Sequence, residues 1–296
     1  MKSIIVSEAD HSIFYAPIYV SIENGYFKKE GLDINLKTEF GSDNATKSLL
    51  LGYSDIGIVG PESTLYLYNE KSNKNVLNFA KLTNRPGNFL VSRYFHDNFN
   101  WNDVKGKTIL GSRNDGMPEI ILEYILKNNC VNPETDVNIN KSIPFNKTAD
   151  IFSAGYGDYT VEFEPAATNL VSNYDFHIIK PLGLDSGYVP YTTLCALDSY
   201  TIKYPDIINS FKNAVQMGID YVNNNLSKDI AKLIYSQFPS INISVLSSII
   251  DIYKKQNTWG RDLLLDKKSF ILIENILISS NRLSSPIPYE CVVYNR

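Results

Sequence analysis

Acidic residues lie at or immediately before the start of several predicted helices. Glu62 follows a strand-like run, and Glu162 and Glu164 lie two residues apart on a second such run, just before Pro165. Side chains at positions i and i+2 of a strand point to one face, so Glu162 and Glu164 should point the same way. The two acids of a glycosidase flank the scissile bond instead. The arrangement therefore favours binding of a cation or a hydrogen-bond donor over acid–base catalysis.

The polar face of this second strand has two interpretations. One face would carry Asp158, Thr160, Glu162 and Glu164, and the other Tyr159, Val161 and Phe163. A polar face is costly on a central strand unless it is paired or faces a cleft. Either the strand is a sheet edge that faces water, or it forms the wall of a binding cleft. We favour the cleft wall.

Both strands belong to a repeated pattern. The stretches "LLLGYSDIGIVGPE" (49–62) and "FSAGYGDYTVEFEP" (152–165) each contain Gly-Tyr-x-Asp, a short β-prone run and a proline. In each, a glycine can end one helix and the proline is tolerated in the first turn of the next. The copies lie 103 residues apart, from Gly52 to Gly155, which predicts two similar α/β lobes. Chance recurrence of a helix-ending glycine is the alternative.

Helix-like and strand-like segments alternate around these motifs. Strands are predicted at 3–6, 32–36, 56–59, 108–110, 137–139 and 159–163. Helices are predicted between them, and the chain after about residue 196 is mainly helical, with apolar residues at helical spacing in 205–223. Alternating β and α units indicate parallel sheets covered by helices, so we predict an α/β fold. Ligands of such sheets bind at the carboxyl ends of the strands, where helix N-termini also point.

Composition argues against several classes of function. The chain has 28 basic and 32 acidic residues, a net charge of -4 and no basic block, which disfavours nucleic acid and polybasic membrane contacts. Cys130, Cys195 and Cys291 stand apart, so we expect neither a disulfide framework nor a metal site. The sequence has no P-loop, GxGxxG, GxSxG or HExxH motif, and we expect no cofactor and no enzymatic activity.

The N-terminal apolar run, residues 4–6, is too short for a signal-peptide core or a membrane span. Two alternatives follow from this observation. Either the protein is cytosolic, or an export segment was removed before Met1.

Two runs near the N-terminus carry a family resemblance: "FYAPIYVSIENGYFKKEGLDINL" (14–36) and "GSDNATKSLLLGYSDIGIVGPE" (41–62). Together with "DVKGKTILGSRNDGMP" (103–118) and "GDYTVEFEPAA" (157–167) they resemble the solute-binding proteins of ABC importers for nitrate, sulfonates, taurine and thiamine pyrimidines. The resemblance extends to about Asp251. It implies a type II periplasmic-binding-protein fold, in which two α/β lobes joined by two crossover strands close on a small solute without catalysing a reaction.

The resemblance also implies partners and a location. The partners would be an ABC permease and ATPase, and the protein would act as a monomer outside the cytoplasm, either periplasmic or lipid-anchored at the outer face of the cell membrane. Some relatives of this architecture are enzymes that synthesise the thiamine pyrimidine with a cysteine-rich motif, a pyridoxal-phosphate lysine and a histidine. This sequence has no clustered cysteines, so that role does not carry over.

Two β-rich segments, 75–94 and 186–200, lie where one α/β pattern ends and the next begins. If they are the crossovers, residues 1–86 and 191–296 form lobe one and residues 87–190 form lobe two, with the ligand cleft between them. Two crossings form a hinge that absorbs backbone rotation with little loss of core packing.

The predicted binding site combines acids, aromatic rings and helix starts near the cleft. Acids outnumber the two nearby arginines, Arg85 and Arg113, and carboxylates suit an aminopyrimidine or a cation, while aromatic rings can stack on a flat solute. We therefore expect thiamine or its pyrimidine precursor. The alternatives are an alkanesulfonate, taurine or nitrate as solute, and a thiamine-pyrimidine biosynthetic enzyme of the same fold. The predicted site residues are His11, Phe14, Tyr15, Ser42, Asp43, Glu62, Asn84, Arg113, Asp115, Gly116, Glu162, Glu164, Tyr188 and Tyr191.

Overall fold

The computed structural model describes residues 1–111 and 114–294. Within these ranges, ten strands form two sheets of five. The first sheet contains β1 (Lys2–Glu8), β2 (Leu32–Thr38), β3 (Ile56–Val59), β4 (Val76–Thr83) and β10 (Thr192–Leu197). The second contains β5 (Phe89–Ser92), β6 (Thr108–Leu110), β7 (Asn138–Asn140), β8 (Tyr159–Glu162) and β9 (His177–Pro181).

The two sheets share one topology. The strand order is β2-β1-β3-β10-β4 in the first sheet and β7-β6-β8-β5-β9 in the second. In each sheet, three parallel strands lie side by side, the fourth runs antiparallel to the third, and the fifth pairs antiparallel with the fourth. β3 and β8 therefore occupy equivalent places, and these are the two strands of the repeated motif.

Helices cover the sheets and make up most of the C-terminal third. They are α1 (Ala16–Glu23), α2 (Tyr26–Lys29), α3 (Ser42–Leu51), α4 (Pro61–Asn69), α5 (Met117–Asn128), α6 (Thr148–Ser153), α7 (Ala166–Asn173), α8 (Leu182–Asp185), α9 (Asp198–Lys203), α10 (Pro205–Asn224), α11 (Ser227–Leu233), α12 (Ile243–Lys255), α13 (Lys267–Ser279) and α14 (Tyr289–Val292). The predicted α/β class is confirmed. In the part of the chain that the structure describes, no helix is both long and apolar enough to cross a membrane.

The chain passes between the sheets twice, once between β4 and β5 and once between β9 and β10. The first sheet draws its strands from residues 2–83 and 192–197, and the second from residues 89–181. On this basis we propose that lobe one comprises residues 1–86 and 191–296 and that lobe two comprises residues 87–190.

The aspartates of the repeated motif join neighbouring strands in both lobes. The Ile5 N–H donates to Asp55 Oδ2, and the Thr108 N–H donates to Asp158 Oδ2, each at 2.9 Å. Asp55 and Asp158 donate their own backbone N–H groups to the carbonyl oxygens of the same two residues, each at 2.8 Å. The motif therefore ties the start of one strand to its parallel neighbour. Because both copies make the same contacts at equivalent strands, the repeat reflects the fold rather than chance.

We expect Asp55→Ala and Asp158→Ala each to lower the free energy of unfolding by about 1–3 kcal/mol, because each change leaves a strand N–H without its carboxylate acceptor. Asparagine keeps an oxygen acceptor at either position, so Asp55→Asn and Asp158→Asn should lower the free energy of unfolding less. Urea denaturation measures the changes, with Asp33→Ala on the exposed side of β2 as the control. Losses no larger than that of the control would contradict the assigned role.

Candidate functional site

A cavity of about 170 Å³ lies between the lobes at the carboxyl ends of the strands, and we call it the cleft cavity. Lobe one contributes Ala9, Asp10, Tyr15, Phe40, Gly41, Ser42, Gly60, Glu62, Tyr191 and Thr192. Lobe two contributes Gly116, Met117, Pro118, Pro144, Asn146 and Phe163. The lining includes residues from the first turns of α3, α4 and α5. This is where sheets of this kind hold their ligands.

The structure brings together part of the predicted site. The residues that line the cleft cavity are Tyr15, Ser42, Glu62, Gly116 and Tyr191. The lining does not include His11, Phe14, Asp43, Asn84, Asp115, Glu162, Glu164 or Tyr188. Arg113 lies outside the described residues.

Asp10 is an acid of the cleft cavity that sequence reasoning missed. The only sequence signal for it is its position two residues after the end of β1. Burial, with a smaller contribution from the charge of Glu8, raises the pKa of Asp10 to about 6. The ionised carboxylate is therefore held at a free-energy cost, which a positively charged or N–H-bearing solute would offset.

Glu62 lies in the first turn of α4 and is only 3% exposed. Its carboxyl group folds back over Gly60, because a β-carbon placed on Gly60 would lie 2.0 Å from Glu62 Oε2. The Gly60 N–H donates to the Ser42 hydroxyl at 3.0 Å, which joins the starts of α3 and α4. The absence of a side chain at position 60 therefore allows the Glu62 carboxyl to occupy this place beside the cavity.

Four aromatic side chains line the cleft cavity: Tyr15, Phe40, Phe163 and Tyr191. Phe40 was not predicted, although it directly precedes the glycine before α3. It is 67% exposed, and its φ of 53° is a left-handed conformation that is uncommon outside glycine. Tyr191 is buried, and its hydroxyl is shielded from solvent beside the Asn88 side chain. The exposed Phe40 ring is available to a solute, whereas the Tyr191 hydroxyl is not.

Phe14 is a core residue beside the cavity rather than part of its lining. Its ring centroid lies 5.4 Å from that of Phe163 and 5.6 Å from those of Tyr191 and Tyr253. A β-carbon on Gly87 would lie 2.3 Å from a ring carbon of Phe14, so the two are in close contact. Phe14 therefore supports two aromatic side chains of the cavity, Phe163 and Tyr191.

Both ring nitrogens of His11 are bonded within the protein. Nδ1 lies 2.8 Å from Glu8 Oε1, and Nε2 lies 3.0 Å from the carbonyl oxygen of Gln237. With Glu8 ionised both partners are acceptors, so this arrangement favours the protonated form of His11, in which both nitrogens donate. Burial acts to lower the pKa of His11, but the hydrogen bond and charge of Glu8 outweigh it, so the pKa is raised. His11 thus compensates the buried Glu8 charge, and its N–H groups are already used.

Glu162 and Glu164 are buried inside lobe two. The Thr160 hydroxyl donates to Glu162 Oε1 at 2.6 Å, and burial raises the pKa of Glu162 to about 7. Glu164 accepts the backbone N–H and the hydroxyl of Thr168, each at 2.9 Å. β8 lies between β6 and β5, so the interpretation of this strand as a sheet edge is wrong. Its polar face is paired within the lobe and does not form the cleft wall that we favoured, because none of its residues is in the described lining of the cleft cavity; Phe163, predicted on the opposite face, is.

The remaining predicted residues line other depressions. Asp43 and Asp115 line a depression beside α4 that also contacts Glu62. Asn84 and Tyr188 line a surface depression near the two chain crossings. Glu62 therefore lies between the cleft cavity and the first of these depressions, whereas Asn84 and Tyr188 are not part of the cavity lining.

The comparisons with known proteins agree with this architecture. The family model described as NMT1/THI5 like matches residues 13–226. YtlA of Bacillus subtilis (strain 168), which its name describes only as a candidate binding protein, is 38% identical over 293 residues, covering 99% of this chain and 88% of YtlA.

Two solved structures are similar along almost the whole chain. The alkanesulfonate-binding protein SsuA from Xanthomonas axonopodis pv. citri, bound to MOPS, has a TM-score of 0.80 and 11% identity over 99% of this chain and 98% of its own. The ligand-binding component of an ABC-type import system from Staphylococcus aureus, with zinc bound, has a TM-score of 0.79 and 14% identity over 99% of this chain and 97% of its own.

At these identities the solved structures show the fold and not the ligand. The two lobes, the shared sheet topology and the two crossings confirm the type II periplasmic-binding-protein fold that the resemblance implied. The family model covers most of the chain, and YtlA is similar over nearly all of it. The chain therefore belongs to the NMT1/THI5 like family and has the fold of the solute-binding components of ABC importers.

Proposed function

We propose that this protein captures a small solute in the cleft cavity, outside the cytoplasm, and delivers it to the permease and ATPase of an ABC importer. The solute is thiamine or, with a better fit, its hydroxymethylpyrimidine precursor. The family and the fold support the transport role. The observation that carries the choice of solute is the combination of Asp10 and Glu62 with aromatic rings in one cavity.

The charge of the cavity favours a solute with positive charge or N–H donors. Among the described residues of the lining there are two acids, Asp10 and Glu62, and neither lysine nor arginine. Two like charges 4 Å apart repel by about 4 kcal/mol at an effective dielectric constant near 20. A sulfonate or nitrate could accept hydrogen bonds from backbone N–H groups at the starts of α3, α4 and α5, but the negative charges of the two acids would repel the anion.

An aminopyrimidine offers matching groups. Its exocyclic amine donates hydrogen bonds, and a carboxylate of Asp10 or Glu62 accepts them as charge-assisted bonds. The exposed ring of Phe40 can stack on the pyrimidine for about 0.5–1.5 kcal/mol.

The size of the cavity favours a single ring. Sites for drug-sized ligands enclose about 300–1,000 Å³. The cleft cavity encloses about 170 Å³, which suits hydroxymethylpyrimidine better than the two rings of thiamine.

The cleft is proposed to bind without catalysing a reaction. The competing hypothesis is that the protein is a thiamine-pyrimidine biosynthetic enzyme. Relatives with that activity use clustered cysteines. Cys195 is buried in β10, and burial raises the pKa of its thiol well above the usual range, which disfavours a reactive thiolate. Cys130 and Cys291 lie beyond the end of α5 and in α14, and neither is part of the described cavity lining.

Isothermal titration calorimetry with a panel of solutes tests the proposal. We expect hydroxymethylpyrimidine to bind with a dissociation constant below about 1 μM, or about -8 kcal/mol, with thiamine and formylaminopyrimidine weaker. Taurine and nitrate should show no heat of binding under the same conditions. Tight binding of taurine or nitrate, with none of the pyrimidines, would replace this solute assignment with the anionic alternative.

The two cavity acids can be tested against a buried acid elsewhere. Glu62→Gln and Asp10→Asn should each weaken hydroxymethylpyrimidine binding at least tenfold, about 1.4 kcal/mol, because each removes a charged acceptor. Gly60→Ala should also weaken it, since the new methyl group displaces the Glu62 carboxyl. Glu162→Gln is the matched control, a buried carboxyl off the cavity, and should keep the wild-type affinity. Equal losses in Glu162→Gln and Glu62→Gln would remove Glu62 from the site.

Binding should depend on pH through Asp10. Its pKa is about 6 in the absence of solute, and only the ionised form attracts a cation or N–H donor, so affinity should fall as the pH drops from 7 to 5. Calorimetry across this range, run in parallel on Asp10→Asn, separates this effect from titration of the solute itself. The variant should show a flatter profile, and identical profiles would exclude Asp10 as the titrating group.

A further inference from the structure

A cluster of charged side chains joins the C-terminal segment to α5. Arg282, just after α13, has a side chain that is only 8% exposed. Its Nε lies 2.9 Å from Asp115 Oδ1, its Nη2 lies 2.7 Å from Glu119 Oε1, and its Nη1 lies 2.8 Å from Glu123 Oε2. One guanidinium therefore contacts three carboxylates along one face of α5 and the turn before it.

The two sides of this cluster belong to different lobes. α13 packs on both α4 and α5, and the chain after Arg282 is anchored on lobe one, because α14 packs on α4 and β4 and the Tyr294 N–H donates to the Asn78 carbonyl oxygen in β4 at 2.8 Å. α5 follows β6 of lobe two. Two further bonds join the same parts: Tyr66 of α4 donates to the Asp115 carbonyl oxygen at 3.4 Å, and Lys127 donates to the Ser279 carbonyl oxygen at 2.9 Å.

Lys141 is a second cation that contacts two of the same acids, and it belongs to lobe two. It follows β7, pairs with Glu119, and lies 2.7 Å from Glu123 Oε1. Lys141 and Arg282 together face three acids, so loss of Arg282 would leave three carboxylates against one ammonium. Glu119 and Glu123 are almost fully buried, and an uncompensated buried charge is strongly unfavourable. Separation of the lobes would have the same effect, because it would withdraw Arg282 and leave Lys141 in place.

The cluster is connected to the cleft cavity through the start of α5. Glu119 Oε2 accepts the backbone N–H of Asp115 at 2.6 Å. The next three residues, 116–118, line the cavity. The carboxylate that Arg282 contacts therefore also holds the turn that forms the lobe-two wall of the cavity.

We propose that Arg282 is a positioning residue that latches lobe two to lobe one and thereby holds the cleft in the form described here. This inference rests on the proposed capture of a solute between the lobes, but it does not depend on the identity of the solute. Arg282 increases the affinity for the solute because it slows the opening of the cleft, and it does not contact the solute itself.

Small-angle X-ray scattering of the solute-free protein tests the latch. Wild-type scattering should match the compact form described here, and Arg282→Gln should increase the radius of gyration while circular dichroism stays that of a folded chain. Lys141→Gln removes a cation from the same acids but within lobe two, so it should lower stability without changing the radius. Arg282→Lys keeps the charge but cannot contact three carboxylates at once, so it should give an intermediate radius of gyration. This variant replaces Arg282→Gln in the test if Arg282→Gln does not fold.

A folded Arg282→Gln variant with the wild-type radius would overturn the latch, as would an equal expansion in Lys141→Gln. Once a panel solute binds, Arg282→Gln should raise its dissociation rate at least tenfold, measured by stopped-flow fluorescence, whereas Lys141→Gln should not. Failure of every panel solute would count against the proposed function alone, because the scattering comparison uses no solute.

Discussion

The ring of Phe14 is packed where the two chain crossings meet, and the geometry of the cleft depends on this packing. Gly87 lies in the first crossing and Tyr191 at the end of the second, and both contact the Phe14 ring. Phe163 reaches the same ring from lobe two. Because Phe163 and Tyr191 also line the cavity, one aromatic cluster both connects the lobes and forms part of the binding surface.

Buried charge is divided between structural and binding roles. Glu8 is compensated by His11, and the acids along α5 are compensated by Arg282 and Lys141. These groups hold the fold and the relative position of the lobes. Asp10 differs, because burial and a neighbouring acid raise its pKa while it faces the cavity. His11 compensates Asp10 only in part, through a backbone hydrogen bond and its charge, and a solute that carries positive charge or N–H donors would add to that compensation.

Prediction from sequence succeeded where local pattern decides the structure. The helix-ending glycine, the buried run and the proline at Gly52 to Pro61 located α3, β3 and α4, and the same pattern located the equivalent strand β8. Strand alternation placed Glu162 and Glu164 on a polar face, but it could not show that Thr160 and Thr168 would bind them inside the lobe. Asp10 and Arg282 were missed because their roles depend on groups brought close only by tertiary packing.

We propose that the cleft cavity recognises an aminopyrimidine through its carboxylates. The most direct measurement is a crystal structure of the protein in complex with hydroxymethylpyrimidine. We expect the exocyclic amine to lie within about 3 Å of a carboxylate oxygen of Glu62 or Asp10, with the ring against Phe40. A pyrimidine bound outside this cavity, or one whose amine faces away from both acids, would contradict it.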